Sequence, residues 1–104
     1  MQITINDAGS MARVTLAGRL DSVGVESVAF PLAALCGGRT IVIDMARVTF
    51  MASIGLRHLV TMAKAMQLRG GGLRLLNPTT AVTEVINASG LSEFLQIERD
   101  TAPN

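Results

Sequence analysis

One stretch constrains this chain more than any other: Thr40-Ile41-Val42-Ile43-Asp44, nearly all apolar and β-branched, with a long helical stripe a few residues on. A run of that kind suits a strand buried on both faces of a parallel sheet. Over residues 53–69, Leu56, Leu59, Val60, Ala63 and Met66 or Gln67 fall on one side. Arg57, His58, Thr61, Lys64 and Ala65 fall on the other. This is the recurrence of an amphipathic helix. A strand feeding such a helix places the chain in the α/β class.

The flanking segments extend the pattern. Residues 2–6 alternate apolar and polar, Asp7-Ala8-Gly9-Ser10 is a turn, and residues 11–17 alternate again, which reads as a hairpin. Gly18-Arg19-Leu20-Asp21 closes it. A helix follows from Ser22, with Val25, Val28, Ala29, Leu32, Leu35 and Cys36 on its apolar face. Pro31 is expected to kink or split it, and Gly37-Gly38 to end it with a left-handed cap. Residues 45–52 are expected to carry the chain over the sheet edge. Gly70-Gly71-Gly72 stops the long helix. Residues 73–76 form a strand, and Asn77-Pro78-Thr79 turns into a helix over residues 81–88, with Thr79 or Thr80 as N-cap and Val82, Val85 and Ile86 inward. Ser89-Gly90 ends that helix, residues 93–97 form a last strand, and residues 98–104 fray. The order is ββαβαβαβ: a mixed, largely parallel sheet with helices packed against it, joined by right-handed crossovers. Residues 1–99 are read as one domain and 100–104 as a flexible tail.

Composition excludes several functions. With 104 residues, 49% apolar and 16% charged, the chain fills one core and is not a disordered tail. The net charge of +1 is scattered, and three Phe with no Trp or Tyr give no stacking platform, so nucleic acid is not the expected partner. Cys36 and His58 are the only Cys and His, too few for a disulfide or a structural zinc site. Cys36 reads as a small core residue. Met62 and Met66 read as core, with an adaptable contact surface as the alternative. The start Met1-Gln2-Ile3-Thr4 lacks the pattern of a signal peptide, and no apolar run is long enough to cross a bilayer. A cytoplasmic location without direct membrane insertion, and no cofactor, are expected.

Binding sites in open α/β sheets gather outside the carboxyl ends of parallel strands. The segments expected there are Arg19-Leu20-Asp21-Ser22, Phe50-Met51-Ala52-Ser53-Ile54-Gly55 and Asn77-Pro78-Thr79. Ser53 opens the longest helix, where the dipole favours a phosphate group. Phosphorylation there adds close to two negative charges. Equally, a serine at that place is a routine N-cap, and Asp21 either caps the first helix or shapes the binding edge. His58 reads as solvated and points away from Ser53. The three glycines at 70–72 follow a helix, the wrong order for a phosphate loop. Asp21 and Asp44 are the nearest carboxylates, and Asp44 reads as a strand end. No set of acid, base and nucleophile converges, so the chain is not read as an enzyme.

Together, Val14-Thr15-Leu16-Ala17-Gly18-Arg19-Leu20-Asp21, Ile41-Val42-Ile43-Asp44-Met45, Val48-Thr49-Phe50-Met51-Ala52-Ser53-Ile54-Gly55-Leu56, Gly72-Leu73-Arg74-Leu75-Leu76-Asn77-Pro78 and Ser89-Gly90-Leu91 before Phe94 carry a pattern. Across nearly the whole chain it resembles the STAS domain, in its standalone anti-sigma factor antagonist form. The resemblance implies partner switching. An antagonist of this kind sequesters an anti-sigma factor, a serine kinase of the histidine-kinase-like ATPase fold. The kinase phosphorylates a residue that falls on Ser53, and a PP2C-type phosphatase reverses the modification. The partner-facing edge would comprise Gly18, Leu20, Asp21, Ala52, Ser53, Ile54, Gly55, Arg57 and Asn77. At the turn, the family commonly has Asp-Ser-Ser-Gly or Asp-Ser-Thr-Gly, whereas this chain has Ala52-Ser53-Ile54-Gly55. The missing carboxylate removes a polar contact, and Ile54 offers an apolar one. Two alternatives stay open: a non-switching STAS subunit of a lipid-transport ABC system, and a nucleotide or small-anion binder. The expected edge strands leave a homodimer open.

Overall fold

The computed structural model describes residues 1–99. The elements run β1 (Gln2–Asp7), β2 (Met11–Leu20), α1 (Ser22–Leu35), β3 (Thr40–Met51), α2 (Ser53–Leu68), β4 (Gly72–Leu76), α3 (Thr80–Ser89), a 3-10 turn (Ser92–Phe94) and β5 (Gln96–Glu98). The strands lie side by side in sequence order. β1 is antiparallel to β2, and the remaining pairs are parallel. This is the α/β order the sequence implies.

Burial of the sheet is one-sided, and this corrects the expectation for residues 40–44. Val14 and Leu16 of β2, Ile41 and Ile43 of β3 and Leu75 of β4 are fully buried. They join Val28, Leu32, Leu59, Met66, Val82 and Ile86 of the three helices in one core. The alternate residues Thr15, Val42, Asp44, Arg74 and Leu76 are only half-buried, and Arg13 is exposed. Helices therefore cover one face, and the other carries the ion pairs Arg13–Asp44 at 3.6 Å and Arg74–Glu98 at 3.3 Å. Such exposed pairs contribute at most about 1 kcal/mol each. The apolar run of β3 reflects β propensity at Val42 as much as burial.

Residues 45–51, expected to leave the sheet, instead continue β3. β2 is long enough to pair with them, through register shifts between Thr15 and Ala17 and between Gly18 and Arg19. Each shift admits an extra residue and lets the apolar phase recover, so Met45, Val48 and Met51 all face the core. Asp44 is consequently mid-strand. β4 reaches only the level of Asp44, so β2 and β3 project beyond it.

α1 is not split at Pro31. The proline forgoes one backbone hydrogen bond, but Val28 before it and Leu32 and Leu35 after it bury as one stripe, and tertiary packing carries the helix. Nor does α1 end in a left-handed glycine: the chain leaves through Cys36 in an extended conformation (φ −66°, ψ 151°). Cys36 is half-buried and donates its thiol to the Leu32 carbonyl at 3.4 Å. α2 does stop at glycine. Gly70 takes φ +79° and donates to Gln67, while Gly71 donates to Met66, the paired bonds of a Schellman motif. Met62 and Met66 are core. The last strand is shorter than expected because residues 92–94 coil into the 3-10 turn. Glu98 and Arg99 do not fray. Glu98 pairs with Leu76, and Arg99 donates to the Pro78 carbonyl at 2.9 Å and to Thr83 Oγ1 at 3.0 Å. The expected tail, 100–104, lies outside the described residues.

Candidate functional site

The projecting ends of β2 and β3 deliver two helix starts to one place. Asp21 caps α1, its carboxylate accepting from the Gly24 amide at 3.0 Å, so the capping role left open in the sequence is realised. That amide, and then Arg19 at 3.5 Å, hold the Asp21 carboxyl below its usual range. Arg19 also lies over the Phe50 ring, 4.3 Å from its centroid. Thr49 Oγ1 donates to the Gly18 carbonyl at 3.3 Å, tying β3 to β2 just before both strands end.

α2 starts on top of Leu20. The Ala52 amide donates to the Leu20 carbonyl at 3.1 Å. A side chain at Gly55 would place its Cβ 2.5 Å from that carbonyl oxygen and 2.8 Å from Leu20 Cγ. A Cβ at Gly24 would lie 2.2 Å from the Arg19 carbonyl oxygen. The two glycines are what allow both helices to begin this close to the end of β2.

Ser53 is not an N-cap. Ala52 takes that position (φ −84°, ψ 166°) and has no side-chain acceptor to offer. Ser53 is the first helical residue, exposed, and its hydroxyl has no hydrogen-bond partner among the described residues. The first turn of α2 contains no acidic residue. Its amide-bearing, partly positive end therefore stands uncompensated. On either side of Ser53 in sequence, Phe50 and Ile54 are exposed apolar residues. Ser53 and Arg57 also line a cleft of about 440 Å³ between α2 and the end of α3, with Leu56, Val85, Ala88, Ser89 and Leu91.

Of the residues assigned to the partner-facing edge, Gly18, Leu20, Asp21, Ala52, Ser53, Ile54, Gly55 and Arg57 gather around these two helix starts. Leu20 and Gly55 are buried beneath the surface rather than part of it. Asn77 stands apart. It follows the short β4, alongside the middle of β3, with φ +54° and its amide on the Glu98 carbonyl at 2.8 Å. Thr79 caps α3 and donates to the Val48 carbonyl at 3.3 Å, fixing this turn three residues short of Met51. Asp44, about 20 Å of strand from Met51, is not near Ser53. Val85, Ala88, Ser89 and Leu91, which share the cleft with Ser53, were not identified from sequence. Val85 read as core and the others as a helix end, and no local pattern announces a cleft between two helices.

His58 also departs from expectation. It turns toward α1 rather than solvent, beside a cavity of about 170 Å³ lined with Ala33, Cys36, Thr61, Met62 and Ala65. Its Nε2 is buried with no hydrogen-bond partner among the described residues. Burial lowers its pKa below the ordinary 6.5. The folded state thus prefers the neutral ring, while the unfolded chain takes up a proton as pH falls through 6.5. The stabilising preference is full above that value and is lost toward the lower folded pKa. Urea unfolding from pH 7.5 to 5 will show stability falling with acid, and His58→Leu will flatten that slope. An unchanged slope in the variant would remove His58 as its source.

No group of three or more His, Cys, Asp or Glu positioned to hold a metal occurs among the described residues, and none of their helices is long and apolar enough to cross a membrane. Comparison with known proteins matches the STAS domain model to residues 2–103. A Bordetella bronchiseptica protein named as an anti-sigma factor antagonist, BtrV, is 32% identical over 99 residues, covering 93% of this chain and 83% of its own. In fold, the chain is similar to the anti-sigma factor antagonist SpoIIAA in its unphosphorylated form (TM-score 0.75, 24% identity, 93% of this chain and 88% of that one). It is likewise similar to the phosphorylated form of the Bacillus cell fate determinant SpoIIAA (TM-score 0.71, 21% identity, 93% and 91%). With five strands in the order described, a serine opening α2 and a family match over almost its full length, this chain belongs to the STAS domain family.

Proposed function

We propose that this protein is an anti-sigma factor antagonist. It binds an anti-sigma factor through the surface around the start of α2, and it lets go when Ser53 is phosphorylated. The observation that carries the reading is Ser53 itself: exposed, first in its helix, free of any side-chain bond to a described residue, and flanked in sequence by the exposed apolar Phe50 and Ile54. Family membership and the similarity to BtrV support it. The anti-sigma factor would be the serine kinase, with a histidine-kinase-like ATPase fold. Transfer forms a bond from Ser53 Oγ to the γ-phosphorus of ATP, breaks the bond to the bridging oxygen, releases ADP and gives up the hydroxyl proton. A PP2C-type phosphatase would hydrolyse the ester.

Loss of binding follows from charge. A phosphate beside the exposed apolar Phe50 and Ile54 must shed its hydration when the partner closes over it, a cost that pairing with a side chain offsets only in part. Ser53→Asp is expected to weaken binding about 10-fold or more, while Ser53→Ala stays near the parent value. The measurement is calorimetric titration against the anti-sigma factor recovered by pull-down from native cells. Equal affinity for the two variants would defeat the switch. A pull-down that returned an ABC-transporter ATPase, with Ser53 never modified, would replace this reading with that of a non-switching subunit.

A further inference from the structure

The cleft beside Ser53 contains the means of holding a phosphate that the serine itself would carry. Ser53 and Arg57 are four residues apart on α2, a spacing that sets side chains on one helix face with Cβ atoms about 5–6 Å apart. Both line the cleft against α3, and no carboxylate is among its lining residues. Arg57 is exposed and makes no ion pair with another described residue. Arg19, another cation at this end of the sheet, is committed to Asp21 at 3.5 Å and to the Phe50 ring at 4.3 Å.

Resting on the reading that Ser53 is the modified residue, we propose that Arg57 captures the Ser53 phosphoryl group of its own chain. Its guanidinium pairs with the phosphate across one turn of α2 and holds it over the cleft. The acid stands N-terminal to the base, the favourable order for such a pair on a helix. A planar guanidinium matches two phosphate oxygens at once, where an ammonium offers a point charge. The uncapped first turn of α2, with Ala52 where a carboxylate would otherwise compete, adds free amides to the same anion. The consequence is a second effect of phosphorylation. Besides bringing charge to the surface, the phosphate draws Arg57 out of solvent, across the mouth of the cleft lined by Leu56, Val85 and Leu91.

The test installs phosphoserine at position 53 of the full chain during translation, so neither kinase nor partner enters the assay. The midpoint of the second phosphate ionisation is read by ³¹P NMR in the parent, Arg57→Gln and Arg57→Lys chains. Arg57 lowers that midpoint, so Arg57→Gln is expected to raise it by about 0.3–0.6 pH unit. Arg57→Lys is expected to recover part of the difference. Because the helix amides remain in all three chains, the difference isolates the side-chain charge. Superimposable titrations of the parent and Arg57→Gln chains would overturn the assignment. A Ser53 that is never modified in cells would defeat the functional reading above but leave this result in place.

Discussion

Gly55→Ala is expected to lower the free energy of unfolding by about 2–4 kcal/mol, against the usual direction of that substitution in a helix. At an open helical position, replacing glycine with alanine stabilises by about 1 kcal/mol. Here the new Cβ would sit 2.5 Å from the Leu20 carbonyl oxygen and 2.8 Å from Leu20 Cγ. A side-chain carbon can rotate away. The carbonyl cannot, because it accepts the Ala52 amide that seats α2 on β2. Relief requires α2 to lift at its first turn, taking Ser53 and Ile54 with it. The variant should therefore lose partner affinity together with stability. Urea unfolding beside Gly72→Ala makes the comparison. Gly72 has nothing within 4 Å of an added Cβ and no positive φ, so its substitution should fall within about 0.5 kcal/mol of the parent. Equal stability of the two variants would mean that the close approach of α2 to β2 is not what Gly55 serves.

Leu20→Ala is expected to cost about 2–5 kcal/mol. Leu20 is fully buried at the end of β2, directly beneath the start of α2, and a shortened side chain leaves a cavity that the surrounding strand ends cannot close. The double variant Leu20→Ala with Gly55→Ala distinguishes the two parts of the contact. Removing the leucine side chain relieves the approach to Cγ but leaves the carbonyl in place. The losses should nearly add, with a coupling well below the cost of either alone. A double variant as stable as Leu20→Ala would show that the side chain, not the backbone, sets the spacing. Circular dichroism through a urea titration of the four chains is sufficient.

The residues gathered here were legible in sequence to different degrees. Ser53 could be found because a small-residue turn before an amphipathic stripe marks a helix start. Asp21 could be found because it precedes another. Their environment could not. Whether Ser53 caps its helix depends on which residue leaves the strand in extended conformation, and Ala52 takes that place. By spacing alone Arg57 read as one more charge on a polar helix face, and only the family resemblance put it on the partner-facing edge. Its place beside Ser53 in a cleft depends on where the end of α3 comes to rest. His58 occupied the same polar face in sequence, yet the angle at which α1 lies against α2 covers it. A residue at the border of a helix face is assigned by its neighbours in space, and periodicity does not supply those.

The order of strands and helices, the parallel core and the position of the helix that opens on Ser53 were determined by the sequence alone. Each rests on local physics: β-branched runs, three- and four-residue apolar spacing, and glycine or capping residues at the ends. The tertiary structure decided how far β3 runs, that one sheet face stays open, and which side chains meet across the gap between α2 and α3. β3 continues to Met51 because β2 is there to pair with it, and two register shifts restore the apolar phase. Pairing between distant strands is a property of neither strand taken singly, and it is this pairing that carries Ser53 beyond the end of β4 to the exposed edge where a partner can reach it.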